Sequence, residues 1–132
     1  MKRLKKNYCC PVELAMDVLN GKWKVVILSR LKDRPYRYGE LRTAIPNMSD
    51  KMLTERLKDL EEIGLVKRSV SINGTKEITY TITERGLSAG PTLESLSEWG
   101  RQLSKELTVG IKRNNTHESQ SKIKVFIYSS PP

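Results

Sequence analysis

Apolar side chains recur every three or four residues through the first half of the chain, with polar side chains between them. This is the period of an amphipathic α-helix. It predicts four short helices, over residues 11–20, 23–31, 38–44 and 49–64. Residue types that interrupt helices separate them, at Gly21, Asp33-Arg34-Pro35 and Pro46-Asn47. The first half of the chain is therefore predicted to be a cluster of short helices.

The fourth of these helices has the clearest pattern. Leu53, Leu57 and Leu60 form its apolar stripe, and the opposite face is polar and charged. Either Ser49 or Asp50 can cap its N-terminus by accepting a backbone N–H. Such a helix can be held on one side by its neighbours and present its other side to a partner.

After Gly64, which stands where helix C-termini favour glycine, the pattern changes to alternation of apolar and polar residues. The alternation covers residues 66–72 and 77–82, with Asn73-Gly74 between the two runs. Asn-Gly is typical of a two-residue turn between antiparallel strands in which both residues take positive φ. We therefore predict a two-stranded hairpin.

The helical period returns near the end of the chain as a narrow apolar seam. Its members follow each other at steps of three or four residues: Leu93, Leu96, Trp99, Leu103 and Leu107. The seam is more apolar than a domain of this size needs for its own core, which favours contact with a second copy of the chain. Packing of this helix on its own domain is the alternative.

Length and organisation bound the remaining possibilities. The chain has 132 residues, which suits one domain, and no apolar run approaches the roughly 20 residues of a membrane span. No signal-peptide pattern follows the N-terminus, so we expect a cytoplasmic protein without membrane contact. We assign residues 1–9 to a basic arm, 10–108 to the domain and 109–132 to a partly disordered tail. The strand-like stretch 123–128 has no assigned role.

The net charge of +9 is unevenly distributed along the chain. Residues 21–82 carry +5, whereas 11–20 carry −2 and 83–110 carry −1. Basic termini need only keep a small protein soluble, but a basic middle module between slightly acidic segments favours a polyanionic partner.

The last three of these short helices and the hairpin that follows them are the elements of a winged helix-turn-helix. The predicted fold class is therefore α+β, mainly α, with a two-stranded wing and terminal dimerisation helices. The 49–64 helix is the predicted recognition helix, because its polar face suits the major groove of double-stranded DNA. Base edges are predicted to be read by Ser49, Lys51, Met52, Thr54 and Glu55. Backbone or wing contacts are predicted for Lys22, Lys24, Arg37, Tyr38, Arg42, Arg56, Lys58, Asn73 and Lys76.

A series of short motifs also runs in order through residues 10–108. It comprises Cys10-Pro11-Val12-Glu13, Gly21-Lys22-Trp23 with Ile27-Leu28, Tyr38-Gly39-Glu40-Leu41-Arg42, the run from Met52 to Glu61, Gly64-Leu65-Val66-Lys67-Arg68, the run from Tyr80 to Gly86, and Trp99-Gly100. In these motifs the chain resembles the HxlR-type winged-helix regulators, which are related to the MarR group. The resemblance implies a bacterial homodimeric transcription factor with terminal dimerisation helices. Val12 on the first helix and the 93–107 seam on the last would then lie in the interface.

The chain departs from the family pattern at the wing, since the family often has a longer wing that contains proline.

A two-fold dimer sets two recognition helices about 34 Å apart, one turn of B-DNA, and therefore predicts a pseudo-palindromic operator. Whether the protein represses or activates transcription stays open.

Cys10 carries a second hypothesis. It precedes Pro11 at a helix N-cap with Lys5 and Lys6 nearby, and both features favour the thiolate. The resemblance implies a thiol switch that responds to a small electrophile or an oxidant. The alternative is a small side chain that packs under the dimer interface. Cys9 is either a second reactive thiol or a bystander.

Other classes of function have less support. The only histidine, His117, lies in the tail, and no glycine-rich phosphate loop or catalytic pairing of side chains is present, so we expect neither an enzyme nor a cofactor or metal site. The alternative to DNA binding is a winged helix that serves only as a protein-interaction module.

Overall fold

The structure is a computed structural model that describes residues 4–112. This part of the chain divides into two compact units, with the boundary between Ser88 and Ala89. The elements in chain order are α1 Pro11–Val18, α2 Lys22–Leu31, β1 Tyr36–Arg37, α3 Tyr38–Ala44, α4 Asp50–Ile63, β2 Val66–Asn73, β3 Thr75–Ile82, α5 Glu84–Leu87 and α6 Gly90–Leu107. The predicted strand-like stretch 123–128 and His117 lie outside the described residues.

The four predicted helices of the first half are confirmed as α1 to α4. Of the two candidate caps of α4, Ser49 is the N-cap, since its hydroxyl accepts the Met52 N–H at 3.2 Å. Gly64 ends the helix at a φ of +85°, a left-handed conformation that glycine adopts without steric cost. Asp50 is thereby the first residue of the helix, and its side chain is not needed as the cap.

The hairpin is confirmed as β2 and β3, but its turn is tighter than predicted. Asn73 pairs directly with Thr75, and only Gly74 lies between them, at a φ of +83°. The prediction that both Asn73 and Gly74 take positive φ was wrong for Asn73. In a two-residue turn Asn73 would lie in the loop, whereas here it is the last paired residue of β2.

A third strand, β1, was not predicted from the sequence. Its two residues pair with β3 through Tyr36↔Tyr80 and Arg37↔Thr79, which gives an antiparallel sheet in the order β1-β3-β2. A two-residue strand has no readable period, and its partner is more than forty residues away in the chain. Its pairing holds the start of α3 against the base of the wing.

The core of the first unit is built from the apolar stripes of α2, α3 and α4 together with the base of the sheet. α2 lies against α4 and β3, while α3 lies against β1 and β3. The fully buried side chains include Ile27, Leu28, Leu31, Leu41, Leu53, Leu57 and Leu60. Helices on a small antiparallel sheet form an α+β, mainly helical winged helix-turn-helix, as predicted.

The exit from the wing is locked onto the end of α4. Thr83 Oγ1 donates to the Gly64 carbonyl at 2.6 Å and accepts the Gly86 N–H at 3.1 Å. Gly86 has no room for a side chain, because an added Cβ would lie 2.3 Å from the Leu65 carbonyl oxygen. The wing and α4 are therefore held together at their shared base.

The second unit contains α6, with proline in the first turn, where no backbone N–H is required. Of the predicted seam only Leu93 is buried, whereas Leu96 is 41% exposed, Trp99 57% and Leu107 65%. Within residues 4–112 no helix is long and apolar enough to cross a membrane.

Candidate nucleic-acid interface

The solvent-facing side of α4 is polar along its whole length. Leu53, Leu57 and Leu60 are buried against the first unit, so the helix turns its opposite side outward. The exposed residues on that side and its flanks are Asp50, Lys51, Thr54, Glu55, Lys58, Glu61 and Glu62. The two lysines lie in the first three turns together with Asp50 and Glu55, whereas the last turn carries only Glu61 and Glu62, so the exposed charge is balanced in the N-terminal part of the helix and negative at its C-terminal end.

Two side chains of α3 hold the start of α4. Arg42 Nε lies 2.7 Å from Asp50 Oδ1, and the Tyr38 hydroxyl donates to the same oxygen at 3.0 Å. The Tyr38 hydroxyl is also 3.3 Å from Thr54 Oγ1, and Arg42 donates to the Met48 carbonyl. The predicted site residues Tyr38, Arg42 and Thr54 are thus brought together around Asp50.

Asp50 was considered in the sequence only as a cap and was not predicted as a site residue. The sequence feature that could have identified it is its position directly after the Ser49 cap, because that position is in the first turn of the predicted recognition helix. The two donors from α3 arise only from tertiary packing, and nothing in the sequence spacing indicates them.

The other flank of α4 is held by a buried ion pair. Lys24 Nζ on α2 lies 3.6 Å from Asp59 Oδ2, and the Lys24 residue is only 5% exposed. Arg56 also approaches Asp59, at 3.8 Å. Lys24 was predicted to contact the DNA backbone, but the structure encloses it inside the first unit. Lys22, by contrast, is exposed, with its ammonium 4.5 Å from the centre of the Trp23 ring.

The wing carries several exposed polar and basic side chains. Asn73 and Lys76 are exposed at its tip. Arg37 on the neighbouring strand β1 is also exposed, and it forms an ion pair with Glu77 at 3.4 Å. Lys67 and Arg68 on β2 are also exposed, and the sequence prediction did not include them. The alternation along the strand could have identified Lys67, because it falls on the polar side of the pattern.

Arg68 contacts Tyr80, the residue opposite it on β3. Burial raises the pKa of the Tyr80 hydroxyl, while the hydrogen bond with Arg68 opposes that shift. The Tyr80 hydroxyl is therefore neutral where it lies at the base of the wing in the folded protein.

The start of α3 is fixed by a carboxylate. Glu40 Oε1 accepts the Arg37 N–H at 2.9 Å, and Arg34 lies 3.3 Å from Glu40 Oε2. The Arg37 N–H and, to a lesser degree, the Arg34 guanidinium hold the pKa of the Glu40 carboxyl below its usual value. Glu40 thereby closes the N-terminus of the helix that carries Tyr38 and Arg42.

Cys9 and Cys10 are both free and exposed at the start of α1. Cys10 is the N-cap residue, and its side chain makes no capping hydrogen bond. Lys5, which was predicted to lie near Cys10, forms an ion pair with Glu13, at 2.7 Å between Nζ and Oε1. A hydrogen bond from Lys5 lowers the pKa of the Glu13 carboxyl.

The orientation of α1 is unusual for a helix at a protein surface. None of its residues is buried, and three apolar side chains face solvent: Val12 is 66% exposed, Leu14 41% and Met16 62%. Two acidic residues of the helix are held by contacts with the preceding segment, since Glu13 is bound by Lys5 and Asp17 accepts a hydrogen bond from Tyr8 at 2.8 Å. Among residues 4–112, these three apolar side chains of α1 are therefore exposed to solvent.

A winged helix-turn-helix with a polar outer face on α4 is the fold of the helix-turn-helix regulators of transcription. Within that class, residues 18–108 match the model of the HxlR-like helix-turn-helix family. The chain belongs to this family, whose members regulate transcription.

Relatives and solved structures agree with that assignment. An uncharacterised HTH-type transcriptional regulator of Methanothermobacter thermautotrophicus is 40% identical over 95 residues, which cover 72% of each chain. The redox regulator HypR in its reduced form is 33% identical, with a TM-score of 0.71 over 76% of this chain and all of that one. The reduced transcriptional regulator YodB of Bacillus subtilis is 35% identical, with a TM-score of 0.63 over 72% and 94%.

Proposed function

We propose that this transcriptional regulator binds double-stranded DNA sequence-specifically as a homodimer, on a pseudo-palindromic operator, and that its binding responds to the state of Cys10. The observation that carries the DNA-binding part is the outward face of α4. The helix packs on the first unit through its buried leucines and exposes Lys51 and Lys58 on its opposite side. A helix of this kind fits the major groove when its N-terminal residues reach the base edges.

The wing supports the same proposal. Thr83 and Gly86 fix its base to the end of α4, while Asn73 and Lys76 are exposed at its tip. Lys67 adds a further exposed positive charge on β2. Phosphate contacts from such side chains would set the register of the protein on the duplex without reading its sequence. We leave Lys24 out of the proposed contact surface, because it is buried and paired with Asp59.

Two uncovered apolar surfaces support a homodimer. One is the exposed side of α1 with Val12, and the other is the seam of α6, in which Leu96, Trp99 and Leu107 are exposed. Apolar side chains that face water in the single chain would gain free energy by burial in an isologous interface. Leu103 belongs to the same seam and is half-buried, and Leu93 is already buried.

The thiol response is supported by the accessibility of Cys10 and by the relatives. Cys10 is free and exposed, and it is the N-cap residue of α1. HypR is described as a redox regulator, and the solved structures of YodB include diamide-treated and quinone-bound forms. An oxidant or a small electrophile is accordingly the proposed effector of this protein.

A footprint on the DNA upstream of the protein's own gene and its neighbours tests the proposal. We expect a protected pseudo-palindrome whose log affinity falls linearly with log salt. Lys58→Ala and Lys76→Ala, two exposed residues of the proposed backbone contacts, should each make this slope shallower by about 0.9, because each removes a charge that neutralises one phosphate. Lys105→Ala, at an exposed position of α6, is the matched control and should leave the slope unchanged.

The alternative, a protein-interaction module without DNA binding, makes the opposite prediction. A folded protein that protects no sequence, and that binds duplexes without saturation at moderate salt, would contradict the DNA-binding proposal and support the alternative.

A further inference from the structure

The start of α4 contains a carboxylate that is held in position by two donors. Arg42 Nε and the Tyr38 hydroxyl both approach Oδ1 of Asp50, at 2.7 and 3.0 Å. The Asp50 side chain is nevertheless 71% exposed. Because both donors hold the same oxygen, Oδ2 is available as an acceptor at the solvent-facing end of the helix.

The Asp50 carboxylate is not explained by helix capping. Ser49 already accepts the Met52 N–H at 3.2 Å, which satisfies the free donor that an aspartate here would otherwise take. It is not explained by core packing either, because the side chain faces solvent. The tether to α3 removes side-chain freedom that would otherwise be lost on binding, so the acceptor is preorganised.

The charge of Asp50 is compatible with a position next to DNA, because the guanidinium of Arg42 is in contact with it. The resulting ion pair is neutral as a unit, which reduces the repulsion between the carboxylate and nearby phosphates. Asp50 is also the first residue of α4, and the N-terminal residues of a recognition helix are those that reach base edges.

An aspartate is an acceptor only, and this limits which base it can read. Cytosine presents its N4 amino group in the major groove, with no acceptor on the same base edge. Adenine presents an amino group beside N7, which is an acceptor and would repel a carboxylate oxygen. Guanine and thymine present no donor there.

We propose that Asp50 is a specificity-determining residue that reads a cytosine through its N4 amino group, with Arg42 and Tyr38 as the positioning residues that aim the carboxylate. This inference rests on the proposed DNA-binding function.

Selection of bound duplexes from a randomised library tests the assignment and does not require a known operator. The wild type should enrich a motif with a C·G pair at one fixed position in each half-site. Asp50→Ala should lose the preference at that position alone, with about a tenfold fall in discrimination against the other base pairs. Asp50→Asn should shift the preference toward adenine, since an amide both donates to N7 and accepts from the N6 amino group.

Glu61→Ala is the matched control, because it removes a carboxylate from an exposed position three turns further along the same helix. It should leave the selected motif unchanged. An Asp50→Ala motif identical to that of the wild type would overturn the assignment, as would a uniform gain in affinity for all duplexes, which would mean that Asp50 merely restrains Arg42. Failure of the wild type to enrich any motif would overturn the DNA-binding proposal itself.

Discussion

Lys24 Nζ lies 3.6 Å from the carboxylate of Asp59, and both side chains are largely shielded from water, with 6% and 17% of their surfaces exposed. The pair joins α2 to α4 on the flank opposite the Asp50 contacts. A buried charge that loses its partner is costly, because the remaining ion keeps its desolvation penalty without the compensating attraction.

We expect Asp59→Ala to lower the free energy of unfolding by about 3 kcal/mol, because it leaves the Lys24 ammonium buried without a carboxylate. Addition of Lys24→Met in the same chain should recover most of the loss, since the uncompensated charge is then gone. Urea unfolding followed by circular dichroism measures both. Equal stability of Asp59→Ala with and without Lys24→Met would contradict a role of the pair in the fold.

Gly86→Ala should destabilise the protein by roughly 2–3 kcal/mol, because the added methyl group meets the backbone oxygen of Leu65, which cannot move without shifting the end of α4. Gly39→Ala is the matched control. A Cβ at Gly39 meets no atom within 4 Å, so this substitution should stabilise α3 by about 0.5–1 kcal/mol. Thermal unfolding of the two variants measures the difference, and similar shifts in both would contradict the close packing at Gly86.

The capping contact of Glu40 predicts a specific pH dependence. Its pKa is lowered in the folded protein by the Arg37 N–H and by Arg34, so the ionised carboxylate contributes stability above its unfolded pKa. That contribution is lost as the pH falls through the lower, folded pKa. The difference in unfolding free energy between the wild type and Glu40→Gln should therefore be largest near neutral pH and shrink below about pH 4.5.

Urea unfolding at a series of pH values from about 3, below the unfolded pKa of a glutamate, to about 7 measures this difference. Glu55→Gln removes an exposed carboxylate from α4 and serves as the control for the general loss of negative charge. A Glu40→Gln difference that stays constant over the whole pH range would show that the contact does not depend on the ionised form.

The thiol hypothesis predicts that Cys10→Ser leaves operator binding intact and abolishes its response to diamide. The reason is that the oxygen of serine keeps the small polar side chain at the N-cap but cannot be oxidised to a disulfide. Cys9→Ser is the internal comparison and should retain the response if Cys10 is the sensor. Fluorescence anisotropy with the footprinted duplex, before and after diamide, measures the effect, and an unchanged response in Cys10→Ser would eliminate Cys10.

The dimer hypothesis predicts that Trp99→Glu converts the protein to a monomer, because a charge in an apolar interface must be desolvated without a partner. Lys105→Glu introduces the same charge at an exposed position on the other side of α6 and should leave the dimer intact. Sedimentation velocity measures the state of both variants. A dimeric Trp99→Glu variant would exclude the 93–107 seam as the interface.

The sequence alone determined most of the local structure. The leucine period of α4, the Ser49 cap and Gly64 define that helix before any contact is known, because propensity, capping and periodicity depend on neighbours within one or two turns. The hairpin followed in the same way from alternation around Asn73-Gly74. Local signals were less reliable for the turn itself, in which Asn73 became part of the strand pairing.

Only the tertiary structure decided what the individual charged side chains do. Lys24 and Lys22 are two residues apart and look alike in the sequence, yet one is buried with Asp59 and the other is exposed. Asp50 likewise acquires its role from Tyr38 and Arg42, which another helix supplies. The physical reason is that ion pairs and burial depend on which elements pack against each other across the core. The periodicity of a single helix does not indicate which elements those are.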